Sequence, residues 1–499
     1  MRRPLSTAFT ASFAAATAVA ASMGLGTPFA FASATATPPV VVSGPTPFAS
    51  GCNGAPQTGT NYPNTKVEPQ IAINPTNPNN IVAGYQQDRW SDGGANSDMA
   101  GVSHDGGATW KQVVIPHITH CAGGNASNGG DYERATDPWV TFAPDGTLYY
   151  VSQPLNSSNP NNGMSVSRST DGGDTWSDPI SLIADTAAGV LNDKVSITAD
   201  PADAHYVYAT WDRLSTSKAN RSAAEALHER AQASSGPTML ARTTDGGATW
   251  STTTIFDPGQ NAQTIGNQIV VLPNGTLVDV FDLISNGSTS IAIITSTDHG
   301  ATWSGPTTVD QVQEGGVTDP NTGATIRTGG GIPEIAVDSR TGALYVTWQD
   351  NRFSGGDHDG IAFSKSTDNG ATWSDPIEVN TTTNTPAFTP TVRAGVNGSI
   401  AVSYYDFRNL AADNTTTLPT DYWLVTSSDG GATWSETHIA GSFDMFTAPN
   451  AEGYFLGDYD GLAATPTGFR PLFAATNDQN LDNRTDIFTA TADSTTITR

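Results

Sequence analysis

The sequence predicts an all-β fold assembled from a repeated four-stranded unit, and three observations carry that expectation. An eight-residue pattern, S/T-x-D-x-G-x-T-W, returns six times. Short apolar runs of strand length are separated by turns rich in Pro, Asn, Asp and Gly, with 50 glycines in 499 residues. Charged residues make up only 14% of the chain, leaving little of the charged, helix-forming sequence that surface helices use.

The six octads occupy 103–110, 169–176, 243–250, 296–303, 366–373 and 427–434. Their aspartates, Asp105, Asp171, Asp245, Asp298, Asp368 and Asp429, are spaced by 66, 74, 53, 70 and 61 residues. A recurring period with variable insertions marks repeated supersecondary units. The octad itself has the chemistry of a tight hairpin turn: Asp bonds nearby backbone N–H groups, Gly supplies a positive φ, and Trp anchors the turn on apolar neighbours.

Taken in order, the chain begins with Met1-Arg2-Arg3 and an Ala-rich apolar run from Ala8 to Met23. Ala30-Phe31-Ala32 and Ala32-Ser33-Ala34 follow, both A-x-A cleavage patterns, so residues 1–34 read as a secretory signal peptide. No later run reaches the roughly 18 apolar residues of a spanning helix. The expectation is an extracellular monomer with no membrane span. In that setting Cys52 and Cys121 are expected to pair, with two separate buried thiols as the alternative. A net charge of −26, from 22 Lys+Arg and 48 Asp+Glu, argues against nucleic acid or anionic membrane as partners. An anionic substrate would need a local arginine cluster working against that field.

Residues 35–66 hold one short β-type run, Val40-Val41-Val42, and the repeat array occupies 67–499. The clearest unit runs from Ile335-Ala336-Val337 through Leu344–Trp348 and Ile361–Lys365 into an octad, then Pro376–Val379, a four-stranded meander of the kind that forms a propeller blade. First and second strands of this type start seven times, from Gln70, Trp139, Lys194, Gln268, Glu334, Thr391 and Gly461. The last unit has a third strand at Asp486–Ala490 and, around Asp493, what reads as a decayed seventh octad. Its missing fourth strand is expected from Val40–Val42, closing the ring. The predicted fold is therefore a seven-bladed β-propeller, with six blades as the fallback. The helix-favouring insertion Ser217–Ala233 reads as a solvated surface excursion, with a lid or rim helix as the alternative.

Meander topology puts the octads on one face, at the periphery. The longer loops, the second-strand ends and the first-strand starts share the other face. The second strands end in Asp88-Arg89, Asp212-Arg213, Asp350-Asn351-Arg352 and Asp406-Phe407-Arg408. The first strands start with Glu68, Asp137, Asp193, Asn267, Glu334, Asp458 and Asp460. Recurring Asp/Arg pairs read first as bridges between neighbouring blades. Residues that break the repeat are the better site candidates, namely Glu133-Arg134, Arg327, Arg393, Glu452 and Tyr459-Asp460. Glu133, Glu334, Glu452, Tyr459 and Asp460 are the candidate acid/base or nucleophilic groups. Arg134, Arg327, Arg393, Arg352 and Arg408 are the candidate substrate-binding cations. Asp478, Asn480, Asp482 and Asp486 place oxygens at alternating positions as calcium loops do, but without the glycine at position six or the distal glutamate. No other cofactor is implied.

The octads resemble the Asp-box, or BNR repeat, of the sialidase superfamily, over about residues 67–493. The resemblance implies a β-propeller and, as function, a secreted sialidase-like glycoside hydrolase acting on extracellular glycans or glycoproteins, with a non-catalytic propeller that binds glycans or proteins as the alternative. In that family three arginines hold the substrate carboxylate, and a Tyr/Glu pair and an Asp do the chemistry. The family's F/Y-R-I-P motif is absent, its nearest fragment being Gly331-Ile332-Pro333-Glu334, so the family's catalytic set is not transferred onto numbered positions.

Overall fold

The computed structural model describes residues 35–493 apart from 55, 217–221 and 230–232. The leader expected at 1–34 lies outside the described residues, as does part of the insertion.

Among the described residues the strands group into seven antiparallel four-stranded units in sequence order, an arrangement that fits a β-propeller. The first is Lys66–Ile73, Ile81–Arg89, Ala95–Ser103 and Lys111–Val114, and the second Arg134–Phe142, Leu148–Leu155, Asn162–Ser169 and Ile180–Asp185. These two are joined at a single pair, Ala95 with Ala135. The third is Val190–Ala199, Val207–Ser215, Thr238–Thr243 and Ser251–Phe256, and the fourth Ala262–Val271, Leu277–Ser285, Ser288–Ser296 and Thr307–Gln311. The fifth is Glu334–Val337, Leu344–Asp350, Gly360–Ser366 and Ile377–Glu378, and the sixth Ala387–Ala394, Ile400–Asp406, Pro419–Ser427 and Ser435–Asp444. The seventh takes Gly461–Ala464, Gly468–Thr476 and Thr485–Thr489 from the end of the chain and Val40–Val41 from its beginning, with Val40 opposite Thr489 and Val41 opposite Phe488. Each innermost strand lies against the innermost strand of the next unit, and Gly461–Ala464 lies against Lys66–Ile73.

Every unit is covered on both faces, so the second strands are buried along their whole length in the first, second, fifth and sixth units. Apolar layers fill the gaps between neighbours, and the octad Trp residues belong to them. Trp176 joins the layer between the first and second units, Trp250 that between the second and third, and Trp434 that between the fifth and sixth. In each octad the leading Ser or Thr hydroxyl bonds the Asp, and the Asp accepts from the backbone and hydroxyl of the Thr. In Ser366–Trp373 these bonds are Ser366 Oγ to Asp368 Oδ1 at 2.8 Å, Thr372 N to Oδ1 at 2.9 Å and Thr372 Oγ1 to Oδ2 at 2.6 Å. The fifth position must be glycine for two reasons: at Gly247 φ is 83°, and a Cβ would come within 2.7 Å of Tyr149 in the preceding unit. The octads are therefore fasteners between sheets. They hold their six carboxyls at about 2 through those hydroxyl and amide donors.

A second repeated feature sits at the other end of the innermost strands. The register slips by one residue between Val67 and Gln70, Thr136 and Trp139, Asp193 and Ser196, Ile265 and Gln268, and Phe388 and Thr391. Within each slip one residue is left-handed: Glu68 (φ 54°), Asp137 (51°), Lys194 (54°), Gly266 (76°) and Thr389 (49°). A non-glycine residue there costs about 1–2 kcal/mol, so four such positions need compensation elsewhere. Bulges of this kind re-aim side chains, here at the start of each inner strand.

Two expectations are corrected. Asp493 does not close a seventh octad: Ala492–Asp493 pairs with Gly468–Phe469 and with Thr35–Ala36. The insertion is not a solvated excursion. Its helix, Ala223–Glu229, buries Ala223, Ala224, Ala226 and Leu227 against Leu155, Leu191 and Leu214. An Ala-rich helix suits this role because its small side chains allow close approach. No helix among the described residues is long and apolar enough to cross a membrane.

Buried carboxyls oppose the octads in pH dependence. Asp279 is fully buried, its oxygens make no well-formed hydrogen bond, and burial with Asp212 nearby pushes it well above the carboxylate range. A raised folded-state pKa contributes stability that is present below the unfolded value, about 3.9, and is lost as pH rises above it. The octad aspartates, depressed to about 2, contribute above that value and lose their contribution as pH falls towards 2. Asp279→Asn should therefore raise Tm relative to wild type at pH 8 and give little gain at pH 4, measured by thermal unfolding. An equal shift at both pH values would contradict this reading of Asp279.

Candidate functional site

The re-aimed residues meet on the face opposite the octads. Lys194, from the third unit, places Nζ 2.5 Å from Asp458 Oδ2, 3.6 Å from Glu68 Oε1 and 3.7 Å from Asp137 Oδ1. Its side chain is only 5% exposed, so this is a buried ammonium among three carboxyls from the first and second units and the segment leading into the seventh. Asp458 is shared with Arg327, whose Nη2 and Nε donate to it at 2.6 and 3.1 Å. Arg327 is carried by a small accessory sheet of Val317–Thr318, Thr325–Arg327 and Tyr454–Phe455, in which Arg327 pairs in parallel with Phe455. The guanidiniums of Arg327 and Arg89 both lie over the Phe455 ring, at 4.4 and 4.9 Å. Polar bonds fix the rest: Gln86 donates to Glu68 and to Thr136 Oγ1, Thr136 donates to Asp137, and the Lys194 amide donates to Asp137 Oδ2.

Burial pushes Glu68 up to about 7, against the opposing pull of Lys194. Burial, with Glu68 and Asp137 close by, pushes the Tyr459 hydroxyl far above its ordinary range. The exposed side of the cluster is a cleft of about 10 Å³ between Arg89, Asp137, Asp193, Lys194, Arg327 and Glu452, edged by Gly93 and Leu227 of the insertion helix. Beneath it Trp139 and Tyr459 pack with ring centroids 5.3 Å apart and, with Ile332, form a septum. Beyond the septum the inner strands enclose a cavity of about 400 Å³ along the axis.

Arg327, Glu452 and Tyr459 reach the cluster, with Glu452 at its rim, 4.0 Å from Arg327. Glu133 does not reach it. Its carboxylate accepts from the Ser157 amide and hydroxyl at 2.7 and 2.9 Å and from Ser158, and those donors hold it below the usual range despite burial. Arg134 is consumed by Asp92 at 2.7 Å, by Gln57, Thr58 and Gly93, and by the Trp90 ring. Arg352 bridges Asp350 and Asp310 of the preceding unit, while Arg408 pairs with Asp406 and Glu436 inside its own unit. Glu334 and Arg393 open onto the axial cavity, beyond the septum. Asp460 is buried beside Tyr405. Arg134, Arg327 and Arg393 therefore form no three-arginine clamp, and the Tyr459 hydroxyl is turned to the Pro138 carbonyl at 3.3 Å.

The oxygens of the 478–486 loop turn to different partners. Asp478 accepts from the Asp444 amide, Asn480 from the amides of Asp482 and Asn483, and Asp486 from Lys66 Nζ at 2.9 Å. Among the described residues no group of three or more His, Cys, Asp or Glu side chains could hold a metal ion. Cys52 and Cys121 are joined as a disulfide with Cα atoms 4.8 Å apart.

The central residue that the motif reading passed over is Lys194. The signal for it lies in aligning Glu68-Pro69-Gln70, Asp137-Pro138-Trp139 and Lys194-Val195-Ser196: a lysine stands where its neighbours carry acids.

No protein-family model matches the chain, and no curated protein matches it. Among solved structures, a Hadza microbial sialidase aligns at TM-score 0.44 and 17% identity, over 83% of this chain and 73% of the other. The GH93 α-L-arabinofuranosidase of Fusarium graminearum aligns at 0.44 and 13%, over 74% and 92%. The α-L-arabinanase of Penicillium chrysogenum aligns at 0.45 and 12%, over 91% and 98%. Likenesses this distant decide neither site nor substrate.

Removing the ammonium takes the shared cation from Glu68 and Asp137 and leaves Asp458 with Arg327 alone, and breaking a buried ion pair by removing one partner costs about 3–5 kcal/mol. Lys194→Met should lose stability of that order in urea unfolding at pH 7.5, and distinctly less at pH 5, where the carboxyls protonate more readily. An equal loss at both pH values would show that packing, not charge, is what Lys194 supplies.

Proposed function

We propose that the chain is a secreted seven-bladed β-propeller, closed by its N-terminal strand, that hydrolyses glycosidic bonds of extracellular glycans in the loop-face cleft. The pairing of Val40–Val41 with Phe488–Thr489 and the contact of the first and seventh innermost strands support the closed ring. The composition of residues 1–34 supports export.

The observation that carries the enzymatic reading is that Asp137 and Asp193, from adjacent units, line the same cleft beside Lys194 and Arg327. Two carboxyls beside fixed cations supply what glycosidic cleavage needs, one group to protonate the leaving oxygen and one to stabilise or attack the cationic centre. Glu68, behind Lys194, is raised by burial to about 7, so it exchanges its proton near neutral pH. Arg89 and Arg327 line the cleft, and an anionic sugar would have to share Arg327 with Asp458 and the Ala451 carbonyl; on those terms a sialoside stays within the reading although the expected arginine set does not converge. The cleft is small, so a sugar ring enters only as Glu452 and Leu227 at its edge give way.

The purified mature protein should turn over at least one member of a panel of fluorogenic sialoside, α-L-arabinofuranoside and neutral pyranosides. Asp137→Asn should lower kcat by about 10²–10⁴-fold. No turnover on any substrate, together with saturable binding on a glycan array, would replace the hydrolase with a glycan-binding propeller.

A further inference from the structure

We propose that the axial cavity is a second binding site, open to the octad face, that takes a small apolar carboxylic acid with its carboxylate on Arg393. The cavity measures about 400 Å³, within the ~300–1,000 Å³ range of small-molecule sites. Its wall is about half apolar, with Ile71, Ile197 and Leu462 beside the polar Gln70, Thr141 and Ser196, which suits a ligand with an apolar body and a polar end. The turn residues Pro75, Pro144 and Pro201 line its outer end, while Trp139, Tyr459 and Ile332 separate it from the loop-face cleft.

One level of this wall carries ionisable groups. Arg393 donates through Nε to Leu462 O at 2.7 Å, and its two terminal nitrogens have no hydrogen-bond or ion-pair partner among the described residues. Glu334, 4% exposed, accepts from Gln268 Nε2 at 2.9 Å through one oxygen and stands near Arg393 without forming an ion pair. Burial raises Glu334 to about 7, so it is largely protonated in mildly acidic medium and leaves the guanidinium's charge unneutralised there. A guanidinium with both terminal nitrogens free is shaped for a planar carboxylate, which it binds through two parallel charge-assisted bonds. A protonated Glu334 would add a third donor to the same carboxylate.

The test uses benzoate as the anionic probe and benzyl alcohol as its neutral counterpart, titrated calorimetrically into the disulfide-intact protein at pH 6. Benzoate should bind saturably at one site, and benzyl alcohol at least about tenfold more weakly. Arg393→Gln should weaken benzoate by at least about tenfold, and Ala464→Trp, which fills the cavity wall while keeping Arg393, should abolish binding. If Arg393→Gln does not fold, Ala464→Trp and the alcohol comparison still decide. No saturable benzoate binding up to about 20 mM, equal affinity for the alcohol, or binding unchanged by the variants would overturn the proposal.

Discussion

A single buried ammonium is the point from which the rest of this structure can be understood. Lys194 stands among Glu68, Asp137 and Asp458, and no two of these four come from the same unit or its lead-in. Each of the carboxyls would be costly to bury alone, and Lys194 would be too. Together they tie the first, second and third units to the segment entering the seventh, so the two ends of the chain meet in one electrostatic knot as well as in the strand pair of Val40–Val41. The left-handed residues make this possible: Glu68, Asp137 and Lys194 are themselves the strained positions, and the strain turns them into the cluster.

The same geometry divides the axis into chemically distinct halves. On the loop face, charges of both signs crowd a narrow cleft; beyond the Trp139–Tyr459 septum, strand walls of mixed aliphatic and polar side chains enclose a wider space with one arginine and one glutamate at one level. The octads take no part in either. Their carboxylates are satisfied by their own Ser and Thr hydroxyls and amides, their tryptophans pack between sheets, and they stand on the far face from the charge cluster.

Local chemistry explains what could be read in advance. An octad such as Ser366–Trp373 specifies its turn through neighbours no more than seven residues apart, so the sequence alone placed the six hairpins, the seven strand pairs and the face on which Glu68, Asp137 and Asp458 gather. Long-range choices were less legible. Arg134 carries the same charge as Arg327, and nothing local tells that Asp92 and two backbone carbonyls hold the one away from the cluster while Asp458 and the Ala451 carbonyl hold the other within it. Lys194 was readable only as an exception within aligned strand starts. The insertion helix was misjudged because composition reports helix propensity but not the apolar surface, here Leu155, Leu191 and Leu214, that receives it.

Burial beside Lys194 is what should bring the Glu68 carboxyl into the neutral range, where a group that both takes and gives a proton is of use to acid/base chemistry. The most direct measurement is a ¹³C NMR titration of the Glu68 side-chain carboxyl in glutamate-labelled protein, its resonance identified by its loss in Glu68→Gln. The midpoint is expected at about 7. A midpoint in the ordinary glutamate range, near about 4.3, would contradict it.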